Sequence, residues 1–263
     1  MTFLQLFLLC NTFQLTNLKE IFARMTTDFN SFFKSAITVD NVIFGFDGQD
    51  LKVLLMKRGE IPYMDDWALP GHFVKPEEDL ASAAGRILEE LTGLNSVYLE
   101  QVKTFGKIGR HPMGRVMTVA YYSLININSY EIKPAFIAQK ATWFKVSDVL
   151  EKTLAFDHNE ILKACIDQLK IRVKTQPIGF ELLPDKFTLT QLKQLYESVL
   201  QHQLDKRNFR KKILSMKILI DLKESQEGVA HRPAKLYRFD SERYNRLTED
   251  GLYFDISYPA MQT

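Results

Sequence analysis

The sequence predicts a mixed α/β (α+β) domain followed by a smaller, mainly helical domain. Two observations support this fold class. In residues 35–175, short runs of β-branched and aromatic residues surround one helix, and a second helix closes the segment. After residue 185 the pattern changes to helix, turn, basic helix and hairpin. At 263 residues the chain is long enough for one large or two modest domains.

Residues 1–34 are predicted to be an extension that belongs to neither domain. Residues 3–9 are apolar, but no basic residues precede them and no small-residue cleavage site follows. The run is also too short to span a bilayer. Because Met25 begins a stretch like an ordinary protein start, we interpret residues 1–24 as an over-extended N-terminus, disordered or loosely docked. The alternative is a weak secretory signal.

Residues 35–175 are predicted to form the first domain. Strands are expected at 37–46 and 51–57, joined by a turn, and further strands at 97–105, 116–127 and 141–146. Apolar residues recur at helical spacing in 159–174 and predict the closing helix.

The stretch at 69–94 organises this domain and is predicted to be a loop that enters a helix. Asp79 is a plausible helix cap, and Gly93 stands where a left-handed residue would end the helix. One face is expected to be apolar, because its members lie at helical spacing: Leu80, Ala83, Ala84, Ile87, Leu88 and Leu91.

The same stretch resembles the Nudix box, whose pattern is G-x5-E-x7-R-E-U-x-E-E-x-G-U, with U aliphatic. The matching positions are Glu78, Arg86, Leu88, Glu90, Gly93 and Leu94. Three positions depart, since His72 replaces the first glycine and Ile87 and Leu91 replace two glutamates. The resemblance implies a Nudix-type α/β/α sandwich over roughly residues 35–175.

The departures change the chemistry that the resemblance implies. In Nudix enzymes, carboxylates at the positions of 87, 90 and 91 share a helix face and together hold Mg²⁺. Here Glu90 alone remains. We therefore predict no catalytic residue, no metal site and no required cofactor, with residual Mg²⁺ binding not expected. The alternative is an active Mg²⁺-dependent hydrolase of a nucleoside diphosphate derivative, with ligands rebuilt from Glu77, Glu78 and Glu89.

A linker is predicted at 176–184, a winged helix-turn-helix domain at 185–245 and a C-terminal tail at 246–263. Helices are expected at 188–201 and 206–216, the second capped by Asp205, and short strands at 218–222 and 235–239. Arginine and asparagine can read base edges, whereas lysine neutralises phosphates. The predicted DNA-binding residues are Lys206, Arg207, Asn208, Arg210, Lys211 and Lys212 on the helix, with His231, Arg232 and Lys235 on the wing.

Residues 180–239, including FTLTQL at 187–192 and LDKRNFR at 204–210, resemble the C-terminal domain of Nudix-related transcriptional regulators. That family includes repressors of NAD metabolism and relatives that control pentose use. The resemblance implies a homodimer that binds a near-palindromic operator in double-stranded DNA. It also implies that the Nudix-like domain senses a small-molecule effector.

The effector is expected to be ADP-ribose-like or a sugar such as a pentose. The form RILEELTGL at 86–94 resembles the sugar-sensing branch. A pyrophosphate needs arginine or lysine, and a base or sugar needs an aromatic face. The candidate effector-binding residues are Arg58, Trp67, His72, Phe105, Arg110, His111, Arg115 and His158. Trp67 and Phe105 could instead be core residues, and His158 a helix cap.

Composition leaves the function class open. The formal net charge is +2, so any basic DNA-binding patch must be local. The two cysteines, Cys10 and Cys165, form no disulfide framework, which indicates a cytoplasmic protein with no membrane partner. An interaction module, whose basic helix binds an acidic protein, is a further alternative to the regulator and the hydrolase.

Overall fold

The computed structural model describes residues 35–95, 97–129, 138–228 and 232–256. The predicted extension at 1–34 and the last seven residues of the predicted tail, 257–263, lie outside the described residues. Within the described ranges, no helix has both the length and the apolar character needed to cross a membrane.

Where the structure describes it, the first domain contains one mixed sheet and three α-helices, which confirms the predicted fold class. The strands are β1 (Ala36–Phe46), β2 (Leu51–Arg58), β3 (Trp67–Ala68), β4 (Gly71–Phe73), β5 (Tyr98–Phe105), β6 (Val116–Asn126) and β7 (Ala138–Lys145). The helices are α1 (Leu80–Thr92), α2 (Val146–Leu150) and α3 (His158–Thr175), and a short 3-10 turn spans Ile127–Ser129.

The sheet has the order β3-β2-β1-β6-β5, with β4 paired to β1 and β7 paired to β2. β1 and β6 run parallel along their whole length, and the other pairs are antiparallel. Along β1, alternate side chains point to opposite faces, as the pleat requires. Ile43 packs with α1 residue Leu88, whereas Val42 and Phe44 belong to the cluster that contains Cys165 of α3. The two helices therefore cover the two faces of the sheet.

Local capping fixes both ends of α1, as the sequence predicted. The Asp79 carboxylate accepts the backbone N–H of Ser82 at 2.8 Å, and Gly93 ends the helix with φ = 76°. Such a cap typically contributes about 1 kcal/mol. These two residues set where α1 begins and ends, and so they set which side chains reach the sheet.

The second domain contains the predicted helix, turn, helix and hairpin, with a short strand before them and a helix after them that were not predicted. It comprises β8 (Phe187–Thr188), α4 (Leu189–Leu200), α5 (Lys206–Ser215), β9 (Leu219–Ser225), β10 (Lys235–Phe239) and α6 (Ser241–Glu249). Its three strands form a sheet in the order β8-β10-β9. Thr188 and Gln191 form a capping box at α4, and Asp205 caps α5 by accepting the N–H of Asn208 at 2.7 Å.

The segments predicted as linker and tail are packed where the structure describes them. Residues Pro177–Leu182 form a 3-10 helix, and the Phe180 ring stacks on Phe239 of β10 at 4.3 Å between centroids. The boundary predicted at residue 245 falls inside α6. Farther on, Ile256 is buried and donates its N–H to the carbonyl oxygen of Lys174 at 2.9 Å. The exact domain boundaries stay predictions.

Candidate functional site

Arg86 connects several parts of the Nudix-like box through hydrogen bonds. Its guanidinium makes two hydrogen bonds to the Glu78 carboxylate, one of them at 2.8 Å from Nε, and donates to Glu90 at 2.8 Å and to the Phe73 carbonyl at 3.1 Å. Arg86 is therefore paired with Glu78. The two bonds from Arg86 to that carboxylate, with the bond from the Lys75 backbone N–H, hold the pKa of Glu78 at about 2.

The two departures from the box lie in the core. Ile87 and Leu91 are buried, in a cluster that contains Val39, Met56 and Val119 of the sheet. Glu90 is half-exposed and engaged by Arg86 and by Lys75, whose Nζ lies 3.7 Å away. In the described part of the chain, no group of three or more His, Cys, Asp or Glu side chains is arranged to hold a metal ion.

An open cleft of about 380 Å³ lies beside this helix. The end of β2 and the β3–β4 connection form most of its wall, and Leu91 contributes where the family pattern has a carboxylate. The lining residues that bear on the effector prediction are Arg58, Gly59, Glu60, Leu69, Gly71 and Leu91. Most of this volume is open to solvent, and the space inside the cleft itself is about 40 Å³, so the cleft is shallow.

The three predicted arginines have different surroundings. Arg58 is half-buried, and its guanidinium donates to the carbonyl oxygens of Pro62 at 2.8 Å and Glu60 at 3.5 Å. Arg110 is buried and makes a two-pronged bond to Asp157 at 2.7 and 2.8 Å, with Asp40 at 3.7 Å. Arg115 is exposed and donates to the Gly106 carbonyl at 2.6 Å. Arg110 is thus already neutralised, whereas Arg58 is not.

Two of the predicted histidines, His158 and His111, lie near the charged side chains of Arg110 and Asp40. His158 is buried, its Nδ1 accepts the N–H of Leu69 at 2.9 Å, and its Nε2 lies 3.6 Å from Asp40. Burial lowers the pKa of His158. His111 is half-buried, and its pKa is lowered by burial and then by Arg110 and Arg58. His72 is exposed on β4, and its ring meets that of Phe73 edge-on.

The predicted aromatic contacts, Trp67 and Phe105, pack against the core. Trp67 meets Phe144 edge-on at 4.8 Å, and Phe105 is buried under Lys103. The aromatic residue that does lie beside Arg58 is Phe156, with the Arg58 guanidinium 4.9 Å from its ring centre. Phe156 was not among the predicted contacts, because it follows no apolar period and lies in a loop. Asp40 and Tyr63 were not predicted either.

The basic face of α5 is open to solvent. Phe209 and Ile213 are buried against α4, and five residues on the other faces of the helix are exposed: Lys206, Arg207, Asn208, Arg210 and Lys211. Lys212 is half-buried and lies 3.7 Å from Asp255. Lys206 and Arg210 also line a groove of about 680 Å³ between α4 and α5. The side chains predicted to read bases and phosphates thus point away from the core.

The predicted wing is described in part. Arg232 and Lys235 are exposed, and the Lys235 ammonium pairs with Asp221 at 3.1 Å. His231, also predicted to bind DNA, lies outside the described residues. The assignments of individual residues to effector or DNA stay predictions.

Comparisons with known proteins agree with this architecture. Residues 34–165 match the model of the NUDIX domain, and residues 179–239 match that of the NrtR DNA-binding winged helix domain. An ADPR responsive transcriptional repressor from Acinetobacter baylyi is 36% identical over 227 residues, which are 86% of each chain.

Solved structures give the same result. The crystal structure of Shewanella oneidensis NrtR is 32% identical, with a TM-score of 0.68 over 77% of this chain and 93% of that one. The same protein complexed with a 27mer DNA is 30% identical in the aligned region, with a TM-score of 0.66 and the same coverage. Both domain matches, in this order and over this length, show that the chain belongs to the NrtR family, in which a Nudix domain precedes a DNA-binding winged helix domain.

Proposed function

We propose that this protein is a transcriptional repressor that binds operator DNA through α5 and responds to ADP-ribose. The observation that carries the DNA-binding part is the exposed basic face of α5, held outward by the buried Phe209 and Ile213. The similarity to an ADPR responsive repressor and to a structure complexed with DNA supports the same function.

Within α5 the structure supports a division of roles. Arg207 and Lys211 are four residues apart, so they share a helix face opposite Phe209 and are placed to enter the major groove beside Asn208. Lys206 and Arg210 line the groove toward α4, where they would meet the phosphate backbone. Phosphate contacts give affinity that falls with salt, whereas base contacts give sequence preference.

The DNA-binding proposal is tested by fluorescence anisotropy with duplexes from the protein's own gene neighbourhood. The pair Arg207→Ala and Lys211→Ala should weaken operator binding about tenfold or more, since one good base contact discriminates by about 1–3 kcal/mol. The matched control is Lys163→Ala with Arg243→Ala, two exposed basic residues on α3 and α6. Full DNA affinity in the α5 pair would favour the alternative that this helix binds an acidic protein.

The effector part is carried by Arg58. Its half-buried guanidinium is near Glu60, Asp40 and Asp66, but in the described residues it forms no ion pair with any of them. Burial lowers its pKa, which means that its charge is costly where it stands. A pyrophosphate in the adjoining cleft would compensate that charge through charge-assisted hydrogen bonds. A free pentose offers no such group and is the second candidate.

Isothermal titration of the full chain with ADP-ribose, arabinose and xylose separates these effectors. We expect ADP-ribose to bind without Mg²⁺, to release the operator duplex and to lose most of its affinity in Arg58→Gln. Binding of a pentose with no response to ADP-ribose would replace the proposed effector.

We infer that the Nudix-like domain does not hydrolyse its ligand. Two of the three positions that would hold Mg²⁺ are buried aliphatic residues, and the third, Glu90, pairs with Arg86. Phosphate-containing products from ADP-ribose with Mg²⁺, abolished by Glu90→Ala, would establish the hydrolase alternative instead.

We also propose a cytoplasmic homodimer, since operator DNA lies in that compartment and a near-palindromic operator requires two-fold symmetry. Analytical ultracentrifugation tests the dimer.

A further inference from the structure

The hairpin of the second domain contains a bulge in its first strand. Only three residues separate the end of α5 from the start of β9, so the hairpin follows directly on the basic helix. Pairing between β9 and β10 is regular as far as Asp221 and resumes at Ser225. The three residues between them, 222–224, are opposed by Leu236 alone, and we call them the β9 bulge. Such a bulge bends its strand and changes the direction of its side chains.

The Asp221 carboxylate holds the β9 bulge in shape. Its Oδ1 accepts the backbone N–H of Lys223 at 2.9 Å. Lys223 has φ = 59°, in the left-handed region that a residue with a long side chain rarely adopts. Aspartate and asparagine make such bonds to the backbone two residues ahead and so replace a hydrogen bond of the sheet. The direction of Lys223 therefore depends on the side chain of Asp221.

Asp221 also brings two lysine side chains together. Its Oδ2 lies 3.1 Å from Nζ of Lys235 and 3.5 Å from Nζ of Lys223. The two lysines come from opposite strands, and their side chains stay 59% and 81% exposed. The bond from the Lys223 N–H and the two ammonium groups lower the pKa of Asp221, so the carboxylate is charged at neutral pH. Two cations around one anion leave this side of the hairpin positive.

Folding stability alone does not account for this arrangement. Exposed ion pairs contribute little to stability, whereas a left-handed residue with a side chain is costly and is found most often at functional sites. The other carboxylate of the β9 bulge, Glu224, pairs with Lys186 at 2.6 Å, so its charge is already balanced. An ammonium group on a flexible stem binds a phosphate as a point charge and reads no base.

We propose that Lys223 binds the phosphate backbone of DNA beside Lys235, and that Asp221 is the positioning residue that holds both lysines for this contact. The proposal rests on the proposed repressor function and adds a DNA contact that the sequence did not predict. Because a phosphate contact reads no base, it should act equally on operator and non-operator duplexes. The charge of Asp221 opposes DNA binding while its hydrogen bond favours it, so substitution can separate the two effects.

The contact of Lys223 is tested by fluorescence anisotropy of the full chain over a series of salt concentrations. The logarithm of the affinity falls with the logarithm of the salt concentration by about 0.9 per phosphate neutralised. Lys223→Ala should weaken binding to the operator duplex and to a random-sequence duplex by similar factors and should reduce the slope by about one on both. Lys163→Ala, an exposed lysine of α3, should leave both slopes unchanged. An unchanged slope in Lys223→Ala would overturn the proposal.

The role of Asp221 is tested on the same two duplexes. Charge alone predicts that removing a carboxylate beside DNA strengthens binding. We expect Asp221→Ala instead to weaken both duplexes several-fold, since the Lys223 N–H loses its acceptor. Asp221→Asn keeps an oxygen that accepts this N–H and removes the charge, so it should bind at least as tightly as the wild type. Glu227→Ala removes another exposed carboxylate of the hairpin and should not weaken binding.

An Asp221→Ala variant that binds as tightly as the wild type, or an Asp221→Asn variant as weak as the alanine variant, would overturn the proposal. If Asp221→Ala does not fold, Asp221→Asn and the slope of Lys223→Ala decide it. The repressor function is read separately, from the preference for operator over random duplex and its loss in the Arg207→Ala and Lys211→Ala pair. A protein that prefers its operator but is indifferent to Lys223 would lose only this inference.

Discussion

Single residues in this fold are constrained by contacts that are distant in sequence. Gly71 is an example, because a Cβ atom there would meet the buried Asp40 carboxylate, with a second close contact at 3.0 Å from the Val39 carbonyl oxygen. Asp40 in turn lies near Arg110 and His158. The glycine is thus required by the charge cluster behind the cleft wall.

Gly71→Ala should destabilise the protein by about 1–3 kcal/mol, the usual cost of forcing extra volume into a packed site. Chemical denaturation measures the loss. Gly85→Ala is the matched control, since nothing lies within 4 Å of a Cβ there and the residue is inside α1. It should stabilise by about 0.5–1 kcal/mol. Equal effects at the two glycines would contradict the packing argument.

The Glu78–Arg86 pair predicts a pH dependence. The pKa of Glu78 is lowered to about 2 from an ordinary value of 4.5, chiefly by Arg86. A lowered carboxyl pKa gives stability that is complete above the unfolded pKa and is lost as the pH falls toward the folded one. Glu78→Gln should therefore lower the melting temperature at pH 7, and the gap to the wild type should close between about pH 4.5 and 2. The exposed Glu77→Gln should show no such closing gap.

At the scale of elements, the helices are the part that the sequence predicted best. Asp79, Thr188 and Asp205 act within three residues of their own positions, so their roles can be read locally. The two-residue strands β3 and β8 were not predicted, because they are too short to show alternation. α6 was not predicted as a helix, and the boundary expected at residue 245 divides it, although Asp240 caps it by accepting the Arg243 N–H at 3.0 Å.

The candidate site was harder to predict for the same physical reason. Arg110 was selected as a ligand contact, but its partners Asp40 and Asp157 lie 70 and 47 residues away in the chain. No local pattern reveals such a pairing. Phe156 and Tyr63 have backbone conformations that are set by their surroundings and not by their residue types. By contrast, the apolar nature of Ile87 and Leu91 was visible directly.

The hydrogen bond by which Asp205 caps α5 should affect DNA affinity, independently of the negative charge of Asp205. Asp205→Ala removes the bond to the Asn208 N–H and should cost about 1 kcal/mol, while Asp205→Asn removes the charge but keeps a good cap. We expect operator affinity to be lower in the alanine variant than in the asparagine variant. Asp240→Ala, which uncaps α6, should lower stability by a similar amount without this effect. Equal affinities for the two Asp205 variants would show that the cap does not order the recognition surface.

At the scale of the whole molecule, the two domains share one hydrophobic cluster. It extends from Phe44 of β1 through Leu169 of α3 to Leu192 and Ile213 of the winged helix. α3 also bonds to two later segments of the chain: the Lys170 ammonium donates to Gln201, at the end of α4, at 2.7 Å, and the Lys174 carbonyl accepts the N–H of Ile256. α3 is thus in contact with the cleft wall through His158 and with the winged helix through its last turns.

A shared core predicts a single unfolding transition. Calorimetry of the full chain should give one peak with equal calorimetric and van't Hoff enthalpies, the mark of two-state unfolding. Leu169→Ala should lower its midpoint without splitting it, at a cost of about 2–5 kcal/mol. Lys163→Ala, on the exposed side of the same helix, should leave the midpoint nearly unchanged. Two resolved peaks would show that the domains unfold independently.

The stacked rings of Phe180 and Phe239 limit how proteins of this architecture can exchange their DNA-binding halves. One ring belongs to the segment between the domains and the other to the last strand of the wing, so neither half carries the whole contact. A gene fusion joined after Phe180 would pair a resident ring with a foreign strand, whereas one joined before Pro177 would transfer both rings together. New operator specificities should therefore arise more readily by substitution on α5 than by replacement of the winged helix.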